Sequence, residues 1–177
     1  MEGILEEGWE SMSVVSGYPG RCFEDFVKGE KIIHRYGRTV TYQDNLFFTH
    51  FLLNTAPLHF DKEYMELTEF KQPLLVMTMT LGITCGIASE EFKNMASEVE
   101  IRNLRMVAPV FDGDTLHVET EILDVREHPE RKDVGVVVVR HRAYKNNFSQ
   151  LVCEFERELL IYKRDYLPRW QLHSQKV

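Results

Sequence analysis

The sequence has 177 residues, of which 44% are hydrophobic and 28% charged, and this composition is typical of one globular domain with a buried core. A net charge of −7 would repel nucleic acids and anionic membrane surfaces, so neither is expected as a partner. The three cysteines are widely separated and include no Cys-x-x-Cys pair. This spacing argues against a disulfide framework or a metal site and favours a reducing, cytoplasmic environment.

The two ends of the chain differ in composition from its middle. Residues 1–20 contain four Glu and four Gly but no Lys or Arg, so we expect a flexible arm there, and no secretory signal. Residues 74–88 form the longest apolar run, which is shorter than the roughly 18 residues of a membrane span. We predict a single domain over residues 21–163 and a C-terminal extension over residues 164–177.

The first elements of the domain follow from local signals. Residues 29–40 are predicted to form a strand. Thr41 is followed three residues later by Asp44, which is close to the capping-box spacing that begins a helix. Apolar side chains at helical spacing extend this helix to about Leu52. Asp61 is a candidate N-cap for a second, short helix.

An apolar helix and a run of strands complete the domain. Pro73 suits the first turn of a helix, and residues 73–89 are apolar nearly all round, which predicts a helix buried on most sides. Four strand-like stretches follow, separated by turn signals at Asp112-Gly113 and Asn146-Asn147. They cover residues 98–110, 114–127, 133–145 and 150–164. This order predicts an α+β domain in which one curved antiparallel sheet wraps around a central helix.

Three motifs carry a resemblance to a known family. They are "NTAPLHFDKEY" (residues 54–64), "FKQPLLVMTMTL" (residues 70–81) and "APVFDGDTLHVETEILDVRE" (residues 108–127). Over roughly residues 22–163 the chain resembles the MaoC-like dehydratases, (R)-specific enoyl-CoA hydratases of the hotdog fold. The resemblance implies a hotdog domain and a hydro-lyase that acts on acyl-CoA thioesters without a further cofactor.

The sequence departs from the general family pattern at three positions. Asn54 stands where most members have Asp, Ala56 where they have Asn, and Met77 where many have Gly. Together with "YGRTVT" at residues 36–41, these departures are similar to the mesaconyl-CoA hydratase branch. That similarity implies a short, branched, dicarboxylic acyl group.

Hydration of an unsaturated thioester requires a base for water, a proton for the α-carbon and donors for the developing enolate oxygen. Histidine exchanges protons near neutral pH, so His59 is the candidate general base. Asn54 cannot ionise, but its amide can orient the water. The first N–H groups of the central helix are candidate oxyanion donors, with the Met77 backbone at the family's position. Met77 and Val76 are expected to narrow the acyl pocket.

The acyl carboxylate and the CoA group need partners as well. His50 and Arg105 are candidates to bind the carboxylate. Arg140, Arg142 and Lys145 are expected on a solvated strand face, or alternatively against the CoA phosphates. One unit leaves a free sheet edge, and in the family the CoA tunnel lies between two units, so we expect a homodimer at minimum.

Two alternatives remain open on the sequence alone. A hotdog thioesterase would place a carboxylate on the central helix, but residues 73–89 contain no Asp or Glu. A non-catalytic acyl-CoA binding subunit would account for Asn54 in place of the family's Asp.

Overall fold

The computed structural model describes residues 18–168 of the chain. Its helices are α1 (Tyr42–Phe51), α2 (Lys62–Glu66) and α3 (Met77–Ala88). Its strands are β1 (Lys31–Ile33), β2 (Arg38–Thr39), β3 (Met95–Met106), β4 (Thr115–Glu127), β5 (Val134–Lys145) and β6 (Gln150–Tyr162). Single turns of 3-10 helix lie at Phe23–Asp25, Pro57–His59 and Arg164–Tyr166.

Most of the two predicted end segments falls outside the described residues. The predicted arm is described only from residue 18, and the predicted extension only as far as residue 168. The proposed division into an arm, a domain and an extension therefore stays a prediction. Within the described range, no helix combines the length and the apolar character needed to cross a bilayer.

The strands form one antiparallel sheet in the order β1-β4-β5-β6-β3, with β2 also paired to β4. Helix α3 lies against β4 and β5. The main core fills the space between α3 and the sheet, and alternate residues of β4 such as Leu116, Val118 and Ile122 are fully buried in it. This arrangement confirms the predicted α+β architecture of an antiparallel sheet packed on a central helix.

Two local predictions about helix starts are confirmed. The Thr41 side chain accepts a hydrogen bond from the Asp44 N–H at 3.1 Å, and the Asp44 carboxylate accepts one from the Thr41 N–H at 2.9 Å. Asp61 caps α2 by accepting from the Tyr64 N–H at 2.9 Å. Each cap satisfies backbone donors that a helix cannot satisfy internally.

The predicted strand over residues 29–40 is wrong as a single element. β1 pairs with β4 as far as Ile33 opposite Glu119, and β2 resumes with Arg38 opposite Leu116. Four residues therefore span a distance that only two residues of β4 cover. The extra length interrupts the ladder and divides the strand.

The prediction that Pro73 opens the central helix is also wrong, because the helix begins at Met77. The Leu75 N–H donates to the Val110 carbonyl at 2.8 Å, and the Val76 N–H donates to the Asn45 side chain at 2.9 Å. These outward hydrogen bonds hold the backbone extended up to Val76. The first turn of α3 consequently lies one turn later than the sequence indicates.

Helix α3 is buried on one side only, so the prediction of burial on most sides is wrong for the single chain. Its fully buried residues face the sheet, whereas Met77, Thr78, Gly82 and Gly86 are exposed. No other element of the described chain covers that second side. Apolar residues are also exposed on the edge strand β3 and just after it, namely Met95, Val99, Ile101, Met106 and Val107.

The sheet's other face carries a network of ion pairs. Arg140 pairs with Glu156 at 2.7 Å, and Arg142 contacts Glu119 and Glu121 at 3.2 and 3.1 Å. Arg140 and Arg142 therefore lie on a charged strand face, but they are paired with carboxylates and only partly exposed, so the predicted solvated face holds for them only in part.

Lys145 does not lie on a solvated face as predicted, because it is only 5% exposed. Its ammonium donates to the Asp114 carboxylate and to the Pro109 carbonyl, both at 2.8 Å. The Asp114 carboxylate also accepts from the Phe111 N–H at 2.9 Å. The charge is buried because a carboxylate and a carbonyl compensate for the lost water.

A continuous series of hydrogen-bonded polar side chains crosses the core beneath α3. The His34 Nε2 and the His141 Nδ1 each lie 2.7 Å from the Thr120 hydroxyl. Arg157 donates to His141 Nε2 at 3.4 Å and pairs with Glu98 at 2.7 Å. Because Arg157 can only donate, His141 accepts at Nε2 and carries its hydrogen on Nδ1.

The environment of these histidines keeps them neutral. Burial and the positive charge of Arg157 hold the pKa of His141 well below its usual range, and a proton on His34 would lower that pKa further. Burial also lowers the pKa of His34, although Glu91 and Glu90 oppose that shift. Both imidazoles therefore resist protonation in the folded protein while remaining free to take up protons in the unfolded chain.

We expect the free energy of unfolding to fall as the pH falls from about 6.5 to 5. In that range the unfolded chain binds more protons at His34 and His141 than the folded chain does, so acid favours unfolding. Each histidine contributes a slope of up to about 1.4 kcal/mol per pH unit. Urea unfolding at a series of pH values measures the effect.

The variant His141→Gln should flatten this dependence, while the exposed control His50→Gln should leave it unchanged. A wild-type stability that is constant between pH 6.5 and 5 would contradict the assignment of two buried neutral histidines.

Candidate active site

His59 lies in the 3-10 turn Pro57–His59, between α1 and α2. Its ring Nδ1 is 2.9 Å from the Leu74 carbonyl oxygen. A carbonyl can only accept a hydrogen bond, so Nδ1 carries the hydrogen. In the neutral ring, Nε2 then keeps its lone pair and can accept a proton.

His59 opens onto a cavity of about 330 Å³. Within the described chain, it is the only ionisable side chain among the lining residues. The rest of the lining is almost entirely apolar and comes from the segment before α3, the first turns of α3 and the segment after β3. These residues are Phe70, Leu74, Leu75, Met77, Thr80, Met106, Val107, Ala108, Pro109 and Val110.

The start of α3 brings backbone donors to the same cavity. Met77 is the first helical residue and lines the cavity, and its N–H forms no hydrogen bond with any described residue. The Val76 N–H, by contrast, is already bonded to Asn45. The positive end of the helix therefore presents a donor at Met77 rather than at Val76. An oxygen that gains negative charge beside Met77 would be stabilised there.

Asn54 is half-buried and does not line this cavity in the single chain. Its side-chain oxygen accepts a hydrogen bond from the Ala56 N–H at 2.9 Å, two residues along the chain. This contact is an Asx turn, which shapes the backbone leading to Pro57 and His59. The amide NH₂ group of Asn54 makes no hydrogen bond within residues 18–168, so its predicted contact with water stays a prediction.

His50 and Arg105 also lie outside the cavity. His50 is exposed on α1, with its ring 5.1 Å from that of Phe60. Arg105 is paired with Glu154 at 2.9 Å on the ion-paired face of the sheet. Neighbouring strand residues point to opposite faces, so Met106 reaches the cavity while Arg105 points away from it. Their predicted role with a substrate carboxylate is therefore not supported within one chain.

Sequence reasoning missed Asn45, which is 3% exposed and completes the first turn of α1. Its amide donates to the His59 carbonyl at 2.8 Å and to the Leu74 carbonyl at 3.0 Å. Its oxygen accepts from the Val76 N–H at 2.9 Å. The only signal in the sequence is a polar residue at a position of the helix that faces inward.

The pair formed by Lys145 and Asp114 was missed as well. Asp114 belongs to the motif at residues 108–127, and its contacts hold the turn that contains Phe111. The neighbouring Val110 carbonyl accepts from the Leu75 N–H. The motif thereby supports the segment that forms one wall of the cavity.

The donor types around the cavity do not suggest a metal ion. No group of three or more His, Cys, Asp or Glu side chains within the described residues is arranged to hold one. The predicted chemistry at this site relies on an imidazole, a side-chain amide and backbone donors.

Two curated relatives match most of the chain. This chain is 26% identical over 148 residues to the beta-methylmalyl-CoA dehydratase of Chloroflexus aurantiacus, and the match covers 83% of this chain and 42% of that protein. It is also 26% identical over 147 residues to the mesaconyl-CoA hydratase of Cereibacter sphaeroides, covering 82% of this chain and 42% of that protein. The chain thus spans about two fifths of the length of these relatives.

The fold has counterparts among solved structures. A protein of Mycobacterium tuberculosis described as having a double hotdog fold superposes with a TM-score of 0.75 at 22% identity. The match covers 85% of this chain and 47% of that one. The predicted hotdog fold is therefore confirmed, with this chain corresponding to about half of a double-hotdog protein.

The sequence resemblance agrees with the family comparison. The model of the MaoC-like domain matches residues 25–144, which include α1, the His59 turn, α3 and the cavity walls. That match covers well over half of the 177 residues. The chain belongs to the MaoC-like domain family.

Proposed function

We propose that this chain catalyses the reversible hydration of an enoyl-CoA thioester. The observation that carries the proposal is the pairing, in one apolar cavity, of the His59 imidazole with the unbonded first N–H of α3. The two relatives named above act on CoA thioesters, as a dehydratase and as a hydratase, and they support the same reaction class. The CoA group belongs to the substrate, and no further cofactor is part of the proposal.

The residues divide the reaction between them. His59 Nε2 accepts a proton from water while the water oxygen bonds to the β-carbon of the substrate. Negative charge moves to the thioester oxygen, where the Met77 N–H and the positive end of α3 stabilise it. His59 then returns a proton to the α-carbon, and dehydration follows the same steps in reverse.

Asn54 has two roles in this proposal. Its oxygen holds the Asx turn before Pro57, and its amide NH₂ group orients the attacking water. An amide cannot replace a carboxylate as a base, so the proton transfer rests on His59. Hydrolysis of the thioester is disfavoured because no Asp or Glu lies on α3.

The acyl group in this proposal is short, branched and dicarboxylic, like mesaconyl-CoA. The two curated relatives are named for such substrates, although each is only 26% identical to this chain. A cavity of about 330 Å³ suits a short acyl group better than a long one. We also place the reaction in the cytoplasm, in keeping with an acyl-CoA substrate.

The proposal also includes a second hotdog unit, which a second copy of this chain supplies. The uncovered side of α3 and the apolar residues exposed along β3 favour burial against another unit. The curated relatives, about twice as long, leave room for a second unit within one chain. The homodimer would bring two half-sites together in the same way.

Replacing the base should abolish the reaction. We expect His59→Ala to lower kcat for enoyl-CoA hydration by about 10²- to 10⁴-fold, because a positioned general base contributes about that much. Loss of the absorbance of the conjugated double bond measures the rate, and released thiol measures any hydrolysis. His128→Ala, in the β4–β5 hairpin, serves as a histidine control and should remain active.

A folded His59→Ala protein with wild-type turnover would exclude the mechanism. If Asn54→Ala proved more damaging than His59→Ala, positioning of the water by Asn54 would contribute more to the rate than the imidazole, and the assignment of His59 as the general base would be withdrawn. Thiol release without hydration would identify a thioesterase, and saturable binding with neither activity would identify a non-catalytic subunit.

The substrate proposal predicts an order of kcat/KM values. We expect a higher kcat/KM for mesaconyl-CoA than for crotonyl-CoA, because the proposed substrate is dicarboxylic. Both values should exceed that of octenoyl-CoA, because Met77 and Leu75 limit the depth of the cavity. Purified protein assayed with all three thioesters measures the order. A preference for octenoyl-CoA would show that Met77 and Leu75 do not limit the length of the acyl group. A preference for crotonyl-CoA over mesaconyl-CoA would keep the hydratase and exclude a dicarboxylic substrate.

The assembly proposal predicts a dimer that is required for activity. Sedimentation velocity across a dilution series should show a species of twice the chain mass at the concentrations where hydration is observed. Activity should fall as the dimer dissociates. A monomer that keeps full activity at all concentrations would show that one unit contains the whole site.

A further inference from the structure

We propose that Asn45 is a positioning residue that holds the His59 turn and the start of α3 in one fixed relation. This inference rests on the proposed hydratase function and adds a residue that the catalytic steps do not include. Asn45 does not line the cavity, so it acts through the groups that do.

The amide of Asn45 uses its full hydrogen-bonding capacity. Its two N–H groups donate to the carbonyls of His59 and Leu74, at 2.8 and 3.0 Å. Its oxygen accepts from the Val76 N–H at 2.9 Å and from the Thr49 hydroxyl at 3.4 Å. The partners also fix its orientation, since two carbonyls require the NH₂ side and two donors require the oxygen.

Each of these backbone contacts belongs to one half of the proposed catalytic pair. The His59 carbonyl lies on the residue that supplies the base. The Leu74 carbonyl also accepts the hydrogen of His59 Nδ1, so it helps to fix the ring that Asn45 holds at the backbone. Val76 is the N-cap of α3 and directly precedes Met77, whose N–H is the proposed oxyanion donor. One side chain therefore sets the distance between the base and the donor.

The local structure makes Asn45 rigid. It is 3% exposed, and it lies on the first full turn of a helix whose start is fixed by the reciprocal cap of Thr41 and Asp44. A side chain buried on a capped helix loses little further freedom when it binds the two loops. Small errors in the relative placement of reacting groups reduce rates strongly, by about 10²-fold for a displacement near 1 Å.

The variant Asn45→Asp isolates this role because it has nearly the same shape. The carboxylate can still accept from the Val76 N–H, but it has no hydrogen for the carbonyls of His59 and Leu74. We expect kcat to fall by about 10²-fold while KM changes by less than about threefold, since the acyl cavity itself is intact. Asn45→Ser, which is neutral, serves as a second variant if the buried carboxylate prevents folding, and the same loss is expected.

Asn94→Asp is the matched control. Asn94 is 1% exposed and donates to the Arg21 carbonyl at 3.1 Å, and it lies beyond the opposite end of α3. This substitution places a carboxylate in an equally buried position with no contact to His59 or Leu74. We expect it to lower the free energy of unfolding without lowering kcat of the folded protein.

A measurement that is independent of activity completes the test. The imidazole ¹⁵N chemical shifts of His59 report which nitrogen carries the hydrogen and whether that hydrogen is bonded. We expect Asn45→Asp and Asn45→Ser to change these shifts and Asn94→Asp to leave them as in the wild type.

The possible results separate the two proposals. Wild-type kcat in a folded Asn45→Asp or Asn45→Ser protein, with unchanged His59 shifts, would overturn the positioning role. Equal losses of kcat in the Asn45 and Asn94 variants would also overturn it, because the effect would then follow stability alone. A wild-type protein that does not hydrate enoyl-CoA, but whose His59 shifts still depend on Asn45, would support the positioning role and remove the hydratase.

Discussion

The carbonyl of Leu74 is the point on which the arrangement of the cavity depends. It accepts the ring hydrogen of His59 and an amide hydrogen of Asn45. The Leu74 N–H in turn donates to the Leu58 carbonyl at 3.0 Å, and the next N–H, of Leu75, donates to Val110. A segment bonded on both sides in this way must remain extended, and the helix after it begins only at Met77. The same carbonyl therefore determines the tautomer of the base and, through the extended segment, where the helix presents its first donor.

The two faces of the sheet have different chemistry, and this difference directs where a substrate can bind. The face against α3 is apolar apart from the hydrogen-bonded side chains that connect His34 with Arg157. The opposite face carries arginines that are already paired with carboxylates, such as Arg142 with Glu119. These pairs are only partly exposed, and the side chains of Arg142 and Glu119 each keep 20% of their accessible surface. An anionic group placed there would have to compete with carboxylates that are fixed in place. Cations outside this network would therefore bind the CoA phosphates of the proposed substrate more favourably. This weakens the alternative that Arg140 and Arg142 contact those phosphates.

The sequence predicts features that depend on near neighbours and fails where the partner is distant in the chain. The cap of Thr41 and Asp44 spans three residues and was predicted. The strands β4 and β6 follow from alternation along each strand, and β5 follows from its run of valines at residues 136–139. The start of α3 was misplaced because the partner of the Val76 N–H is a side chain 31 residues earlier. Lys145 was assigned to the surface because its carboxylate partner is also 31 residues away.

The candidate site follows the same rule. His59 was found because its motif lies within eleven consecutive residues that resemble a known family. Its hydrogen-bond partner at Leu74, which decides which nitrogen can act as the base, was not evident from any local pattern. Asn45 was missed because α1 contains several polar residues, and none of them stands out until the fold shows what it contacts. Periodicity indicates that a residue points inward, but it does not indicate which backbone groups that residue contacts.

The nature of the acyl group and the need for a second unit are physically linked. Within the described chain, His59 is the sole ionisable group that lines the cavity, and the proposed mechanism assigns it to proton transfer. A substrate carboxylate buried there without a partner would lose several kcal/mol of hydration, whereas a crotonyl methyl group would lose none. Arg105 of the same chain cannot supply the charge, since it points to the opposite face of the strand. A dicarboxylic substrate therefore requires a cation or several donors from another unit, which would enter beside the exposed side chains of Met77, Met106 and Val107. In this proposal, selectivity for the second carboxylate depends on the assembly, while the hydration steps depend on His59 and the start of α3.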